Sequence, residues 1–293
     1  MEPLDLDSTD GAPLAARFYA GNGTKGAVLI GGATGVRQEY YAAFAQWLSA
    51  QGFAAMTFDY RGMGDSRSAA QTKSLRGLDA DLFTWARDYD TAIDALRERV
   101  AADVPLYLIG HSLGAQLPGL LRNRERIDGL LSIAAGSGYW RDNAPRLKRI
   151  VPYFWHVLVP VATALFGYFP GKRLGKVGNL PRGVILQWRR WCMDPRYVVG
   201  AEGEKVRAQY AQVRCPVVAL SITDDELMTE RGTHVLIDSY ANAPRRVERI
   251  APADLEVERI GHFGFFRDQF RSSLWTRSVA LLQGFQNPQE TTP

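Results

Sequence analysis

The nonapeptide Leu106-Tyr107-Leu108-Ile109-Gly110-His111-Ser112-Leu113-Gly114 restricts the fold more tightly than any other stretch of this chain. An apolar, β-prone run from Leu106 to Ile109 leads directly into G-x-S-x-G, after which a helix can start. Strand, sharp turn and helix in that order hold a serine hydroxyl clear of a sheet. Such a turn strains the backbone of Ser112, and any side chain at Gly110 or Gly114 would collide with the neighbouring strand or helix. The hydroxyl then sits at a helix N-terminus, whose free N–H groups favour developing negative charge. The spacing alone is weak, and a plain Gly-rich turn would satisfy it. The strand in front and the partners downstream give it meaning.

Those partners follow in a defined order. A second apolar strand, Val217 to Ser221, ends in Ile222-Thr223-Asp224-Asp225-Glu226, and a further segment, Leu255 to Ile260, read as a strand, precedes Gly261-His262-Phe263-Gly264. A free serine is a poor nucleophile, so an imidazole must take its proton, and a carboxylate must orient that imidazole. Of the four histidines, His111 lies inside the turn, His156 in an apolar segment and His234 in an expected helix. Only His262 follows an expected strand and is flanked by glycines that let a loop reach Ser112. For the acid, a small residue closing the strand with the carboxylate three positions later points from Ser221 to Asp224. Asp225 is the alternate and Glu226 the third choice. Three acids in a row also suit an ordinary solvated helix start.

Stabilising an oxyanion takes two backbone N–H groups, one from the residue after the nucleophile and one from the loop after an earlier strand. These are Leu113 and, in Gly31-Gly32-Ala33-Thr34-Gly35 after strand Ala27–Ile30, Ala33, with Thr34 next. The loop fits neither a phosphate-binding G-x-x-x-x-G-K-S/T nor a dinucleotide-binding G-x-G-x-x-G.

Around these motifs strands alternate with helical patterns. Asp10-Gly11 turns between strands near Leu4–Leu6 and Leu14–Tyr19, a helix over Tyr40–Gln51 stops at Gly52, and Ala54–Phe58 is a strand. A helix over Leu78–Val100 carries Leu82, Trp85, Tyr89, Ile93 and Leu96 at spacings of three and four. A strand at Gly129–Ala134 follows, and a helix near Ser272–Phe285 closes the pattern. The class is α/β, with a mostly parallel, doubly wound sheet. At 293 residues and 46% hydrophobic content, one catalytic domain with an insertion can bury a large core.

At this point the chain resembles the α/β-hydrolase superfamily of the esterase/lipase type, nearest to the bacterial predicted α/β-hydrolase group related to serine-aminopeptidase-like hydrolases. The matching residues are Gly31–Gly35, Phe58-Asp59-Tyr60-Arg61-Gly62-Met63-Gly64-Asp65-Ser66, Gly110–Gly114, Thr223–Glu226 and Gly261–Phe266, in family order. The resemblance implies the α/β-hydrolase fold and a structural, non-catalytic role for the D-x-R-G-x-G-x-S stretch. Where such families carry His-Gly in the oxyanion loop, this chain has Gly31-Gly32.

Between 136 and 210 the alternation breaks, which divides the chain into a core of residues 1–135 and 211–293 and a helical insertion. That insertion holds Trp140, Trp155, Trp188 and Trp191, four of the seven tryptophans. Insertions at this point in the family form caps, and an aromatic cap would wall an apolar acyl pocket and exclude water. Substrate contact is expected from Thr34, His111, Trp140, Trp188 and Trp191. Ile150 to Pro170 approaches the length of a membrane span and is bounded by Arg146, Lys148, Arg149 and by Lys172, Arg173, Lys176. A crossing there would separate Asp224 and His262 from Ser112, so a span is rejected. An apolar helix pair facing the substrate is preferred to a cap facing a membrane surface through its basic flanks.

Remaining features add little. Net charge is +4, and Arg182, Arg189 and Arg190 read as a solvated face before they read as a site for an anionic substrate group. Cys192 and Cys215 give no disulfide framework, the acidic start Met1–Asp7 lacks a signal-peptide layout, and a cytoplasmic location is expected. No metal-ligand spacing or nucleic-acid motif occurs, no cofactor is implied, and the tail Asn287–Pro293 has the composition of a disordered end. The expected activity is a serine hydrolase acting on a small-molecule carboxylic ester, less readily a thioester or amide, through Ser112, His262 and Asp224. An acyltransferase with the same triad and an inactive binding protein are the alternatives. Oligomeric state is not legible in the sequence.

Overall fold

A computed structural model describes residues 1–22 and 24–286; the tail Asn287–Pro293 lies outside the described residues. Ten strands occur among them: β1 Glu2–Asp7, β2 Pro13–Tyr19, β3 Ala27–Gly31, β4 Ala54–Phe58, β5 Leu106–His111, β6 Gly129–Ile133, β7 Tyr168–Pro170, β8 Asn179–Pro181, β9 Val217–Ile222 and β10 Arg245–Ile250. Eight form one sheet in the order β1-β2-β4-β3-β5-β6-β9-β10. The β1–β2 and β2–β4 pairs are antiparallel, and every other neighbour is parallel. Every residue of β3, β4, β5, β6 and β9 is buried, as strands covered on both faces must be. The free edge β10, Arg-Arg-Val-Glu-Arg-Ile, is mostly charged, which discourages pairing with another chain.

Two apolar layers cover the sheet. One is built on Trp85, Tyr89 and Ile93 of the helix Leu82–Arg97, the other on Phe44 and Leu48 of the helix Ala42–Ala50 and Trp275 and Leu282 near the C-terminus. The segment Leu255–Ile260 is not a strand. The last strand comes earlier, at β10, and Glu256 in a left-handed conformation (φ 55°) breaks extension after the turn Pro252–Leu255.

The D-x-R-G-x-G-x-S stretch is a structural clamp. The Asp59 carboxylate accepts from Gln38 N and Asp65 N, at 2.8 and 2.9 Å, and a Cβ at Gly64 would lie 2.0 Å from it. Buried Arg61 pairs with fully buried Asp88 at 2.6 Å and with Asp10 at 2.7 Å. Removing the guanidinium would leave the Asp88 charge without a partner in the interior. Arg61→Ala therefore lowers stability by about 3–5 kcal/mol, read by denaturant unfolding.

Between β6 and β9 the chain makes the helical insertion. Its longest element, Pro145–Phe166, runs through a π-helical stretch at Phe154–Leu158 and ends at left-handed Gly167 (φ 74°). By length and composition this helix could cross a membrane. The chain returns from it to the hairpin β7–β8 and to the helix Arg182–Met193, whose Gln187 side chain accepts from Leu82 N at 2.6 Å. Arg76 of the core caps the carbonyls of Leu165 and Phe166, both at 3.1 Å. With β6 and β9 paired side by side, both ends of the insertion belong to one body. Val151, Trp155, Val159 and Ala162 pack inward, whereas Ile150, Tyr153, Val157, Val161 and Leu165 face outward. The helix thus has one apolar face covered, from which Val151, Phe154, Trp155 and Leu158 border a cavity, and a second apolar face exposed.

Candidate active site

Ser112 follows the last residue of β5 and starts the helix Leu113–Gln116, with φ 52° and ψ −110°. This left-handed-side backbone is costly for a residue with a Cβ, on the order of 1–3 kcal/mol. Surrounding contacts enforce it. Ser112 N donates to Ile133 O at 3.0 Å, and a Cβ at Gly110 would lie 2.4 Å from Ala115 N. At Gly114 a Cβ would lie 2.0 Å from Gly31 O, so the elbow and the loop after β3 can touch only through glycine. Gly31 itself faces Tyr89, whose hydroxyl would be 2.3 Å from a Cβ there. That hydroxyl occupies the space a larger residue at position 31 would need.

Three consecutive acids hold the loop of His262, each by a different contact. Asp224 accepts from Ile260 N and Gly261 N, both at 3.0 Å, and Glu226 accepts from His262 N at 3.1 Å. Asp225 alone reaches the ring, with Oδ2 2.8 Å from His262 Nδ1. The two side chains of that pair are 1% and 2% exposed. Asp225 Oδ1 is fixed in turn by Leu227 N and Met228 N at 2.7 and 2.8 Å. The carboxylate facing the imidazole is thus Asp225 and not the favoured Asp224. The strand runs one residue further than its small residue suggested, to Ile222, and the acid moves one position with it. Burial raises the Glu226 carboxyl, but the N–H groups it accepts and nearby Arg259 outweigh this and hold it below the usual range.

His111 brings the elbow against the His262 loop. Its Nε2 lies 3.0 Å from His262 O, and the two rings are 5.1 Å apart. Since a carbonyl only accepts, Nε2 carries the proton, and Nδ1 accepts from the Tyr41 hydroxyl at 2.9 Å. Tyr41 Oη in turn accepts from Ala33 N at 2.8 Å. A continuous hydrogen-bonded chain therefore runs from the loop after β3, through Tyr41 and His111, to the backbone of His262. The Ala33 N–H expected in the oxyanion hole already has a partner. His111, expected at the substrate, is fully buried within this chain. Tyr41 was missed in the sequence, where only an aromatic pair, Tyr40-Tyr41, follows the Gly-rich loop.

Burial and the adjacent His262 ring push His111 well below the ordinary imidazole range. Its folded pKa lies below the unfolded value of about 6.5, so its neutral-state stability is present above that pH and is lost as pH falls below it. Between pH of about 6.5 and 5.5, wild type should lose about 1 kcal/mol more than His111→Gln, measured by denaturant unfolding at both pH values.

A cavity of ≈ 320 Å³ lies between the insertion and the acid loop, lined by Val151, Phe154, Leu158, Trp188, Leu227 and Met228 among others. Leu227 and Met228 are the residues whose amides fix Asp225, so the apolar wall and the acid share one turn. Trp188 is in this wall. Trp191 is fully buried with Nε1 on Glu202, and neither Trp140 nor Thr34 borders the cavity. Among the described residues, no group of His, Cys, Asp or Glu is placed to hold a metal ion. Among the described residues Ser112 Oγ and His262 Nε2 make no hydrogen bond, to each other or to another protein group; their two loops meet through His111, the neighbour of Ser112.

A family model described as serine aminopeptidase, S33, matches residues 23–177. No curated protein matches the chain. Among solved structures, a soluble variant of monoglyceride lipase from Saccharomyces cerevisiae, in complex with a substrate analogue, is similar with a TM-score of 0.69. It is 17% identical, over 97% of this chain and 95% of that one. Est816, an N-acyl homoserine lactone degrading enzyme, gives 0.58 at 18% identity, over 96% of this chain and 100% of that one. Est1E from Butyrivibrio proteoclasticus, with ferulic acid bound, gives 0.57 at 16% identity, over 99% and 100%. At these identities the likeness is one of fold.

Proposed function

Because the chain belongs to the serine aminopeptidase S33 family, within the α/β-hydrolases, we propose that it is a serine hydrolase cleaving carboxylic esters of apolar acyl groups. The observation that carries the reading is the buried Asp225–His262 contact of 2.8 Å, with the His262 ring 5.1 Å from that of His111, the neighbour of a serine held at φ 52°. Ser112 Oγ attacks the acyl carbon while His262 Nε2 takes its proton and then delivers it to the leaving alkoxide. Asp225 keeps the Nδ1–H tautomer and stabilises the imidazolium. Water, deprotonated by the same imidazole, releases the acid from the acyl-enzyme.

Two amides face the oxyanion in this reading. Leu113 N–H is the first of its helix, where no intrahelical acceptor exists. The second is Thr34 N–H, since Ala33 N–H is held by Tyr41. The acyl chain lies in the ≈ 320 Å³ cavity against Trp188 and Leu158.

A p-nitrophenyl ester series tests the proposal. The value of kcat/KM should rise about tenfold or more from acetyl to hexanoyl, since buried methylenes contribute to transition-state binding. A fluorophosphonate should label the folded protein at Ser112. A preference for acetyl esters would remove the apolar pocket from the reading, and folded protein that resists the probe would remove the nucleophile.

A further inference from the structure

The outward face of the helix Pro145–Phe166 is an uninterrupted apolar stripe. Ile150, Tyr153, Val157, Val161 and Leu165 follow one another at spacings of three and four, so they share one side. They make up five of the seven large hydrophobic side chains exposed among the described residues, and Leu165 is 67% exposed. Scattered exposure needs no explanation, but a stripe on one helix does. Charge is arranged around it with equal regularity. Arg146, Lys148 and Arg149 flank one end, Lys172, Arg173 and Lys176 the other, and all six are exposed. Arg173 is anchored there by its guanidinium, 5.5 Å from the centre of the Phe166 ring. Between residues 144 and 193 there is no Asp or Glu, against nine Lys or Arg.

We infer that this face docks on the surface of an anionic lipid bilayer, with the helix lying in the interface and the basic flanks on the headgroups. Apolar side chains backed by cations on both sides are what an interfacial helix presents, and the cations reach acidic headgroups as the stripe leaves water. A second copy of the chain fits this face less well, because a two-fold partner would bring another six cations against the first six. Tyr153 suits the boundary, with an apolar ring and a hydroxyl that stays wet. Ile150 and Tyr153 also line the cavity beside the acid loop, so the cavity opens at the docking face. Lipid docking itself does not depend on the proposed reaction, and its test measures binding without turnover.

Sedimentation with sucrose-loaded vesicles decides the matter, using phosphatidylcholine alone and phosphatidylcholine mixed with phosphatidylglycerol. Wild type should partition onto the mixed vesicles about tenfold or more better than onto the neutral ones, and added salt should reduce the difference. Val161→Glu with Leu165→Glu, at positions that do not border the cavity, should lower binding at least about tenfold with the melting transition unchanged. Lys172→Gln with Arg173→Gln should weaken binding about fivefold per charge removed, on anionic vesicles only. Equal partition of the double-Glu variant and wild type would overturn the proposal. So would a protein that ignores vesicles and self-associates in sedimentation velocity until the glutamates are introduced.

Discussion

Replacing Asp225 by Asn should lower kcat by about 10⁴-fold while leaving KM for a soluble ester within a few fold. An amide in place of the carboxylate presents either an N–H that donates to an unprotonated Nδ1 or a neutral oxygen that accepts from Nδ1–H. The first favours the wrong tautomer, and the second withdraws the charge that stabilises the imidazolium. Neither change alters the volume of the site. Asp224→Asn should behave differently, because its carboxylate holds only the amides of Ile260 and Gly261. One amide oxygen can still accept, so a loss of about tenfold is expected, carried by a looser His262 loop. Steady-state kinetics on the pair, with folding checked by circular dichroism, reads both. A larger loss at Asp224 than at Asp225 would reject the assignment.

Substituting Ser112 should separate activity from stability. Both Ser112→Ala and Ser112→Gly should lose about 10⁶-fold in kcat and all fluorophosphonate labelling, because the nucleophile is gone. Their stabilities should part. Alanine keeps the Cβ that makes φ 52° unfavourable, whereas glycine occupies that region freely. The glycine variant should unfold at higher denaturant than the alanine variant, by about 1–2 kcal/mol. Equal stabilities would mean that the surrounding contacts do not strain the turn.

Legibility in the sequence followed how local the determinants were. The elbow could be read because apolar strand, glycines and serine are contiguous, and the steric need for Gly110 and Gly114 appears as expected. Parallel central strands were legible from apolar runs without alternation. The acid was displaced by one position because its assignment counted from the end of β9, and an apolar Ile222 gives no sign of where pairing stops. Tyr41 and the commitment of Ala33 N–H were not legible, since they depend on side chains from three separate elements meeting. The orientation of the long helix was hidden for a different reason. Both of its faces are apolar, so hydrophobic pattern could not say which one would be covered.

The insertion leaves the sheet after β6 and re-enters it at β9, two strands that lie against each other. Ser112 comes before this excursion, and Asp225 and His262 come after it. The insertion's share of the cavity wall is thereby one continuous run of chain, while Leu227 and Met228 on the opposite side belong to the turn that holds Asp225, so exchanging the insertion would reshape one wall and leave the other.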